Sequence, residues 1–388
     1  MRLLIDDSAA VNQLAGVGRY ARHVVPALVA ARPDWEVTLG YAPGGPDHAV
    51  ALAEARHAMD AAPAARWHEW PVGRARLDQA WYRARLPLPV QLFSGRGADR
   101  PDVVYSPDFT VPPAGRTPRL MTIHDLAFRL WPDLVAPRLM RFLEGVVPRS
   151  ARRAAGVVTV SESARRDLIA HLGLPADRVS VVPNGVDGRF FAAVPPGEED
   201  RIWLGLPASY LLCVGTIEPR KNHLALWSAL RGPGRDIDVT LVVAGKPGWR
   251  GREITAAADD LVRSGRVIFL PNVDNATLPA VYAGSAATVY PSLYEGFGLP
   301  VIESLAAGRP TVVSSAAALV EVGGDQVTVA DPADPESIAA AIRAALHPDQ
   351  RSTAAVAARR ERAGWYRWPT AGEALAETIE RVHDERRR

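Results

Sequence analysis

Short apolar runs separated by longer amphipathic stretches recur along the whole chain. Runs of this length, apolar on both faces and bounded by Gly, Pro or Asp, read as buried strands of parallel sheets. In the first half they fall at residues 3–5, 37–41, 103–105, 120–123, 157–160 and 179–182. The amphipathic stretches between them predict helices over 20–32, 49–61, 138–155 and 163–172, with Ser161 placed to cap the last. Pro183-Asn184-Gly185-Val186-Asp187 has turn composition, and residues 191–200 form a loose segment rich in Pro, Gly and acid. A second series of strands follows at 211–214, 239–244, 267–270, 287–290, 311–314 and 327–329. Helices are predicted over 223–230, 336–346, 353–363 and 370–383, and Ala306-Ala307-Gly308 closes another one. Alternating strands and helices of this kind mark the α/β class. Two such series predict two domains, 1–187 and 188–365, with a terminal segment 366–388.

The composition agrees with this division and narrows the function. A chain of 388 residues with 48% hydrophobic content can bury two cores of ordinary size. A net charge of +2 gives no argument for nucleic acid. Lys221 and Lys246 are the only lysines, so almost all positive charge is arginine and each lysine stands out. Cys213 is the single cysteine, within an apolar strand, and reads as a buried core residue of a reducing compartment. The first residues read as a strand and not as a secretory leader, and no run reaches the ~20 apolar residues of a membrane span. A cytoplasmic chain, free or peripherally attached to a membrane face, is therefore expected. Residues 67–96 combine Trp67, Trp70, Trp81 and Tyr82 with Arg74, Arg76, Arg83, Arg85 and Arg96. Such a mixture suits a lipid-linked or phosphorylated acceptor or a membrane surface. It equally suits an exposed helix whose aromatic face packs on its own domain.

The densest chemistry lies in residues 294–303, which read YEGFGLPVIE directly after a strand. Gly296 and Gly298 flank Phe297 in a turn that leads through Leu299 and Pro300 into a helix. Pro suits the first helical position, where its missing N–H costs nothing. A helix start offers unpaired N–H groups and a partial positive charge, which favours a phosphate. Glu295 precedes this cradle and Glu303 lies about one turn inside the helix. Phosphate-binding amides between two carboxylates suit a nucleotide sugar, the carboxylates accepting hydrogen bonds from hydroxyls.

Other loops sit where the same ligand would be met. Gly215-Thr216-Ile217-Glu218-Pro219-Arg220-Lys221-Asn222 joins a strand to a helix at a sheet's carboxyl edge, the usual place for ligands. Arg220 and Lys221 there can neutralise a leaving diphosphate. Cations are disfavoured at a helix start, so their presence asks for an anion. Gly16-Val17-Gly18 opens a helix, and its amides can face the diphosphate or the sugar. It also fits a loose dinucleotide pattern, but the strand 37–41 ends without the acid a ribose requires. Lys246 ends a strand on the same edge and reads either as a pocket residue or as a turn residue. His124-Asp125 also ends a strand, a pair that by spacing alone is a local hydrogen bond. Asp236-Ile237-Asp238 precedes its strand and so falls at the wrong edge for a metal at this site. No His/Cys cluster suggests zinc, and no obligatory metal or other cofactor is expected.

The segment PSLYEGFGLPVIE, with its strand, Gly-Phe-Gly-Leu-Pro turn and helix, resembles the retaining glycosyltransferases of family 4. The resemblance extends over essentially the full length. It implies the GT-B fold: two Rossmann-like parallel-sheet domains facing across a cleft, with the last helix crossing back to the first domain. It implies that Glu303 takes the ribose hydroxyls, Glu295 the donor sugar, and the Gly298 and Leu299 amides the phosphate and sugar. By the same transfer His124 meets the moving sugar, oriented by Asp125, and Val273 meets the base. The family often has an arginine directly after Gly215; Thr216 stands there, leaving Arg220 to supply that charge beside Lys221. The first domain is then the acceptor-binding one and the second the donor-binding one. The expected activity is transfer of a hexose-type sugar from a nucleoside diphosphate to an acceptor hydroxyl, with the anomeric configuration kept. GVGRY, TIHDL and EPRKN resemble mannosyltransferase-like members, which points first to GDP-mannose. A nucleotide-sugar epimerase of the same fold is the alternative, and a silent sugar-binding module a further one.

Overall fold

The computed structural model describes all residues except 15, 61, 63, 64, 94–99, 272 and 386–388. Arg96 and the end of the helix expected at 49–61 therefore lie outside the described residues. The chain divides into two units: Met1–Leu126 with Arg141–Gly185 and Arg367–Arg388, and Ala127–Met140 with Val186–Tyr366.

In the first unit, the described residues form a parallel sheet of seven strands. They are β1 (Arg2–Asp6), β2 (Glu36–Tyr41), β3 (Arg66–Glu69), β4 (Val103–Ser106), β5 (Arg119–Thr122), β6 (Gly156–Thr159) and β7 (Val179–Val181), in the order β3-β2-β1-β4-β5-β6-β7. The six strands expected from apolar runs are all present. β3 was not expected, because its sequence RWHE has no apolar run. It is an edge strand held to β2 by backbone pairing, with Trp67 opposite Leu39 and edge-on to Tyr41. Ser161 caps the helix Glu162–Leu172 as expected, accepting from the Ala164 amide, and Gly173 closes it with φ 65°.

The last helix, Trp368–Glu385, belongs to the first unit and packs along the helix Val17–Ala31. Gly372 makes this approach possible: a Cβ there would stand 2.5 Å from the Ala27 carbonyl. Arg32 ties the two helices by pairs to Glu373 (2.6 Å) and Glu380 (2.7 Å), and His23 stacks on Trp368.

In the second unit, the described residues form a six-stranded parallel sheet. The strands are β8 (Tyr210–Val214), β9 (Thr240–Ala244), β10 (Val267–Leu270), β11 (Ala287–Tyr290), β12 (Thr311–Ser314) and β13 (Thr328–Ala330), in the order β10-β9-β8-β11-β12-β13. Its core gathers Leu211, Leu226, Trp227, Leu241, Val243, Val289 and Ile342. Two expectations need correction. The segment 191–200 is not wholly loose, since short helices Gly188–Phe191 and Glu198–Trp203 enter it from either side. Pro300 occupies the second helical position and Leu299 the first, because Gly298 at φ 108° serves as the N-cap.

The aromatic residues of 67–96 turn inward. Trp70, Trp81 and Tyr82 are buried, and Trp70 meets Trp81 edge-on at 5.6 Å. Gly40 leaves room for the Trp70 indole, which a Cβ would meet at 2.7 Å. The aromatic face thus packs on its own domain, while Arg83, Arg85, Leu86 and Leu88 remain exposed.

Candidate active site

The strand order of the second sheet reverses between β8 and β11. In parallel α/β sheets a crevice opens there, outside the carboxyl ends of the strands. The two loops singled out in the sequence leave these strands. After β8, Gly215 takes φ 141°, residues Pro219–Lys221 form a tight turn, and Asn222 takes φ 57° to enter the helix His223–Arg231. After β11, residues 291–298 lead into the helix Leu299–Ala306.

Glu295 joins the two loops. Lys221 Nζ donates to its Oε1 and Arg220 Nη1 to its Oε2, both at 2.6 Å. Arg220 also donates to the Tyr294 carbonyl (3.0 Å) and to Glu218 Oε1 (2.9 Å). The Glu295 side chain is 11% exposed. Burial alone would raise its pKa; the adjacent Arg220 and Lys221 outweigh that and hold it at about 2. Glu295 is therefore an ionised, fixed acceptor at neutral pH. The opposite charges also keep Arg220 and Lys221 in one place in the absence of an anion.

The amino end of Leu299–Ala306 is shaped by Gly298, where a Cβ would stand 2.5 Å from Leu319 Cδ2. Phe297, expected among the donor contacts, is buried with its ring edge-on to Tyr366. Its side chain serves packing. Gly296 is buried beside it. Glu303 is 1% exposed, and Tyr282 Oη donates to its Oε2 at 2.9 Å. Tyr290 Oη donates in turn to Tyr282 Oη at 3.1 Å.

Thr216 is half-buried, with its methyl filling the place a Cβ on Gly248 would take. Lys246 has an exposed side chain, and its carbonyl accepts from the Ile217 amide (3.0 Å), as a turn residue does. Val273 is half-buried in the loop after β10.

In the first unit the order reverses between β1 and β4. Gly16 caps the helix Val17–Ala31 at φ 58°, so Val17 is its first residue and the helix starts one turn earlier than expected. Gly18 is a packing requirement: a Cβ would stand 2.0 Å from the Gln13 carbonyl oxygen. His124 follows β5, half-buried, with Nε2 3.0 Å from the Pro107 carbonyl oxygen and its ring against the edge of Tyr20. Burial lowers its pKa, against the pull of Pro107, Asp108 and Asp125, and favours the neutral imidazole.

Sequence reading missed several residues that build these loops. Asn222 donates to the carbonyls of Pro291 (3.1 Å) and Pro332 (2.8 Å), tying three loops together. Asn directly before a helix was a signal for its left-handed φ. Tyr282 and Tyr290 gave none, since the chain from Tyr290 through Tyr282 to Glu303 arises only on folding. Arg22 holds the carbonyls of Ala10, Gln13 and Leu14 below the glycine loop. Arg74 lies among Asp78 (2.9 Å), Asp108 (3.6 Å) and Asp6 (3.7 Å) outside β1 and β4.

Comparison with known proteins places this architecture. Residues 205–362 match the model of glycosyl transferases group 1, and residues 14–189 that of glycosyltransferase family 4. The chain is 29% identical to O-antigen chain mannosyltransferase B of Escherichia coli, over 95% of this chain and 96% of that one. It is 30% identical to glycogen synthase of Mycobacterium tuberculosis, over 94% and 90% of the two chains. Among solved structures, sucrose-phosphate synthase from Thermosynechococcus elongatus superposes with a TM-score of 0.74 at 17% identity, covering 99% of both chains. Anabaena HepE in complex with UDP-glucose gives 0.71 at 18%, covering 98% of this chain and 100% of that one. The paired sheets, the loops leaving β8 and β11 and these matches together identify the chain as a family 4 glycosyltransferase of the GT-B fold.

Proposed function

We propose that this glycosyltransferase moves a hexose-type sugar from a nucleoside diphosphate, GDP-mannose first, to an acceptor hydroxyl with retention at the anomeric carbon. The observation that carries the reading is Glu295 clamped between Arg220 and Lys221 beside the glycine-capped start of Leu299–Ala306. The carboxylate is fixed to accept hydrogen bonds from donor-sugar hydroxyls. The two cations and the helix amides of Gly298 and Leu299 stabilise the negative charge that grows on the departing diphosphate. No obligatory metal is then needed for that charge. Glu303 takes the ribose hydroxyls, with Tyr282 orienting its carboxylate. The reaction breaks the bond from the anomeric carbon to the phosphate oxygen and forms one to the acceptor oxygen. The acceptor's proton passes to the departing phosphate oxygen on the same face, and no covalent sugar–enzyme bond is required.

In the first unit, His124 and the loop Gly16 to Gly18 are proposed to meet the moving sugar. A neutral imidazole can accept a hydroxyl proton or donate one N–H. The exposed Arg83, Arg85, Leu86 and Leu88 support a lipid-linked acceptor reached at the cytoplasmic face of a membrane. Among the described residues no helix is long and apolar enough to cross one. Mannose is favoured because the E. coli relative is named a mannosyltransferase.

Thermal-shift screening of a panel of nucleotide sugars tests the donor, since a ligand bound to the native state raises Tm. GDP-mannose is expected to give the largest rise, abolished by Glu303→Ala. A larger rise with a UDP-sugar overturns the choice of donor. Equal rises in wild type and variant overturn the site.

A further inference from the structure

The carboxyl end of the helix Leu299–Ala306 carries a second concentration of charge, at the opposite edge of the sheet from the donor loops. Arg309 stands just before β12, with Nε donating to the Ala307 carbonyl (3.2 Å) and Nη1 to that of Ser285 (3.3 Å). Arg359 is 3% exposed and donates to the Gly308 carbonyl (3.4 Å) and the Gln350 carbonyl (2.6 Å). Both carbonyls accept from the same guanidinium nitrogen, so the backbones of Arg309 and Arg351, the next residue after each, lie close together. Arg360 Nε lies 3.5 Å from where a Cβ on Gly308 would stand.

Two of these arginines have an evident structural role. Arg309 and Arg359 satisfy carbonyls at a helix end, where the partial negative charge suits a cation. Arg351 and Arg360 do not share it. Arg360 Nε is buried with no hydrogen-bond partner. Arg351 is exposed and sits directly before Ser352, the cap of the helix Thr353–Gly364, whose positive end disfavours a cation. The neighbours that perturb Arg309 are, in order after burial, Arg360, Arg351 and Tyr210, with no carboxylate among them. Guanidinium groups held beside Arg309 with no carboxylate among the charges that act on it are stable only at a cost, which an anion removes. A phosphate fits best: guanidinium forks match its oxygens, and a helix start contributes free amides beside Arg351.

We propose that Arg309, Arg351, Arg359 and Arg360 form a phosphate-binding site on the second unit, separate from the donor loops. A free phosphate-bearing metabolite and a lipid phosphate headgroup present the same chemistry to it. The site does not depend on the donor or mechanism proposed above.

The test uses the full chain, its Lys221→Ala variant and the double variant Arg351→Gln/Arg360→Gln. Arg359 is left in place because its carbonyl bonds hold the fold. Melting is followed with inorganic phosphate against chloride at constant ionic strength. Saturating phosphate should raise Tm by roughly 2–4 °C in both wild type and Lys221→Ala, and not in the double variant. The double variant should still respond to nucleotide sugar, which shows that it is folded. Sedimentation with phosphatidic acid vesicles, against phosphatidylcholine ones, separates the sources. Binding lost in the double variant assigns a lipid headgroup, and a phosphate response without vesicle binding assigns a soluble ligand. A phosphate response lost in Lys221→Ala and kept in the double variant overturns the site, as does the absence of both responses.

Discussion

At the scale of single residues, the chemistry rests on how charges are held before any ligand arrives. Glu295 titrates near 2 in the folded chain, below the 4.5 of an isolated glutamate. Its contribution to stability is thus present above about pH 4.5 and is lost as the pH falls through about 2. The full window corresponds to about 3 kcal/mol. The Tm advantage of wild type over Glu295→Gln should therefore be largest near pH 6 and shrink by pH 3; a gap that stays constant refutes the clamp. In the proposed function Tyr282 acts as a positioning residue, through the Glu303 carboxylate that it hydrogen-bonds. A bond to a charged group is worth about 1.5–3 kcal/mol. Tyr282→Phe should raise the KM for the donor roughly tenfold or more and leave kcat almost unchanged. A fall in kcat at constant KM contradicts a role through nucleotide binding. Glu295 was legible in the sequence because its loop has a recognisable turn chemistry. The Tyr282 contact was not, because twenty-one positions separate it from Glu303 and no local pattern links them.

At the scale of elements, two glycines decide how closely segments approach. Gly298 combines φ 108° with a Cβ position already occupied by Leu319. Gly298→Ala should cost about 1–3 kcal/mol and reduce the thermal shift given by the donor, read in a single melting series. Unchanged melting and binding would mean that the helix start tolerates a different cap. The buried strands were readable because parallel strands covered on both faces are continuous apolar runs. β3 escaped because an edge strand draws its stability from backbone pairing and leaves its side chains half-exposed. The start of Val17–Ala31 was placed late because Gly18, a poor helix former, stands in its first turn. The structure shows why it is there: the chain before the helix runs too close for any side chain.

At the scale of the whole molecule, the chain's last helix completes its first unit. Gly372 sits against the Ala27 carbonyl with no room for a side chain. Gly372→Val should lower stability by about 3 kcal/mol, measured as a fall in Tm, while the donor-induced shift of the second unit persists. Loss of that shift would show that the two units do not respond separately. The sequence alone determined the α/β class, the two strand–helix series and the glycine-capped loop around Glu295, because each follows from local periodicity, turn residues and caps. Tertiary structure alone decided that Glu295 meets Arg220 and Lys221, that Tyr282 backs Glu303, and that Arg359 and Arg360 reach Gly308 beside Arg309. These contacts join residues far apart in the chain. Their geometry is set by which strands become neighbours, and a linear pattern does not carry that information.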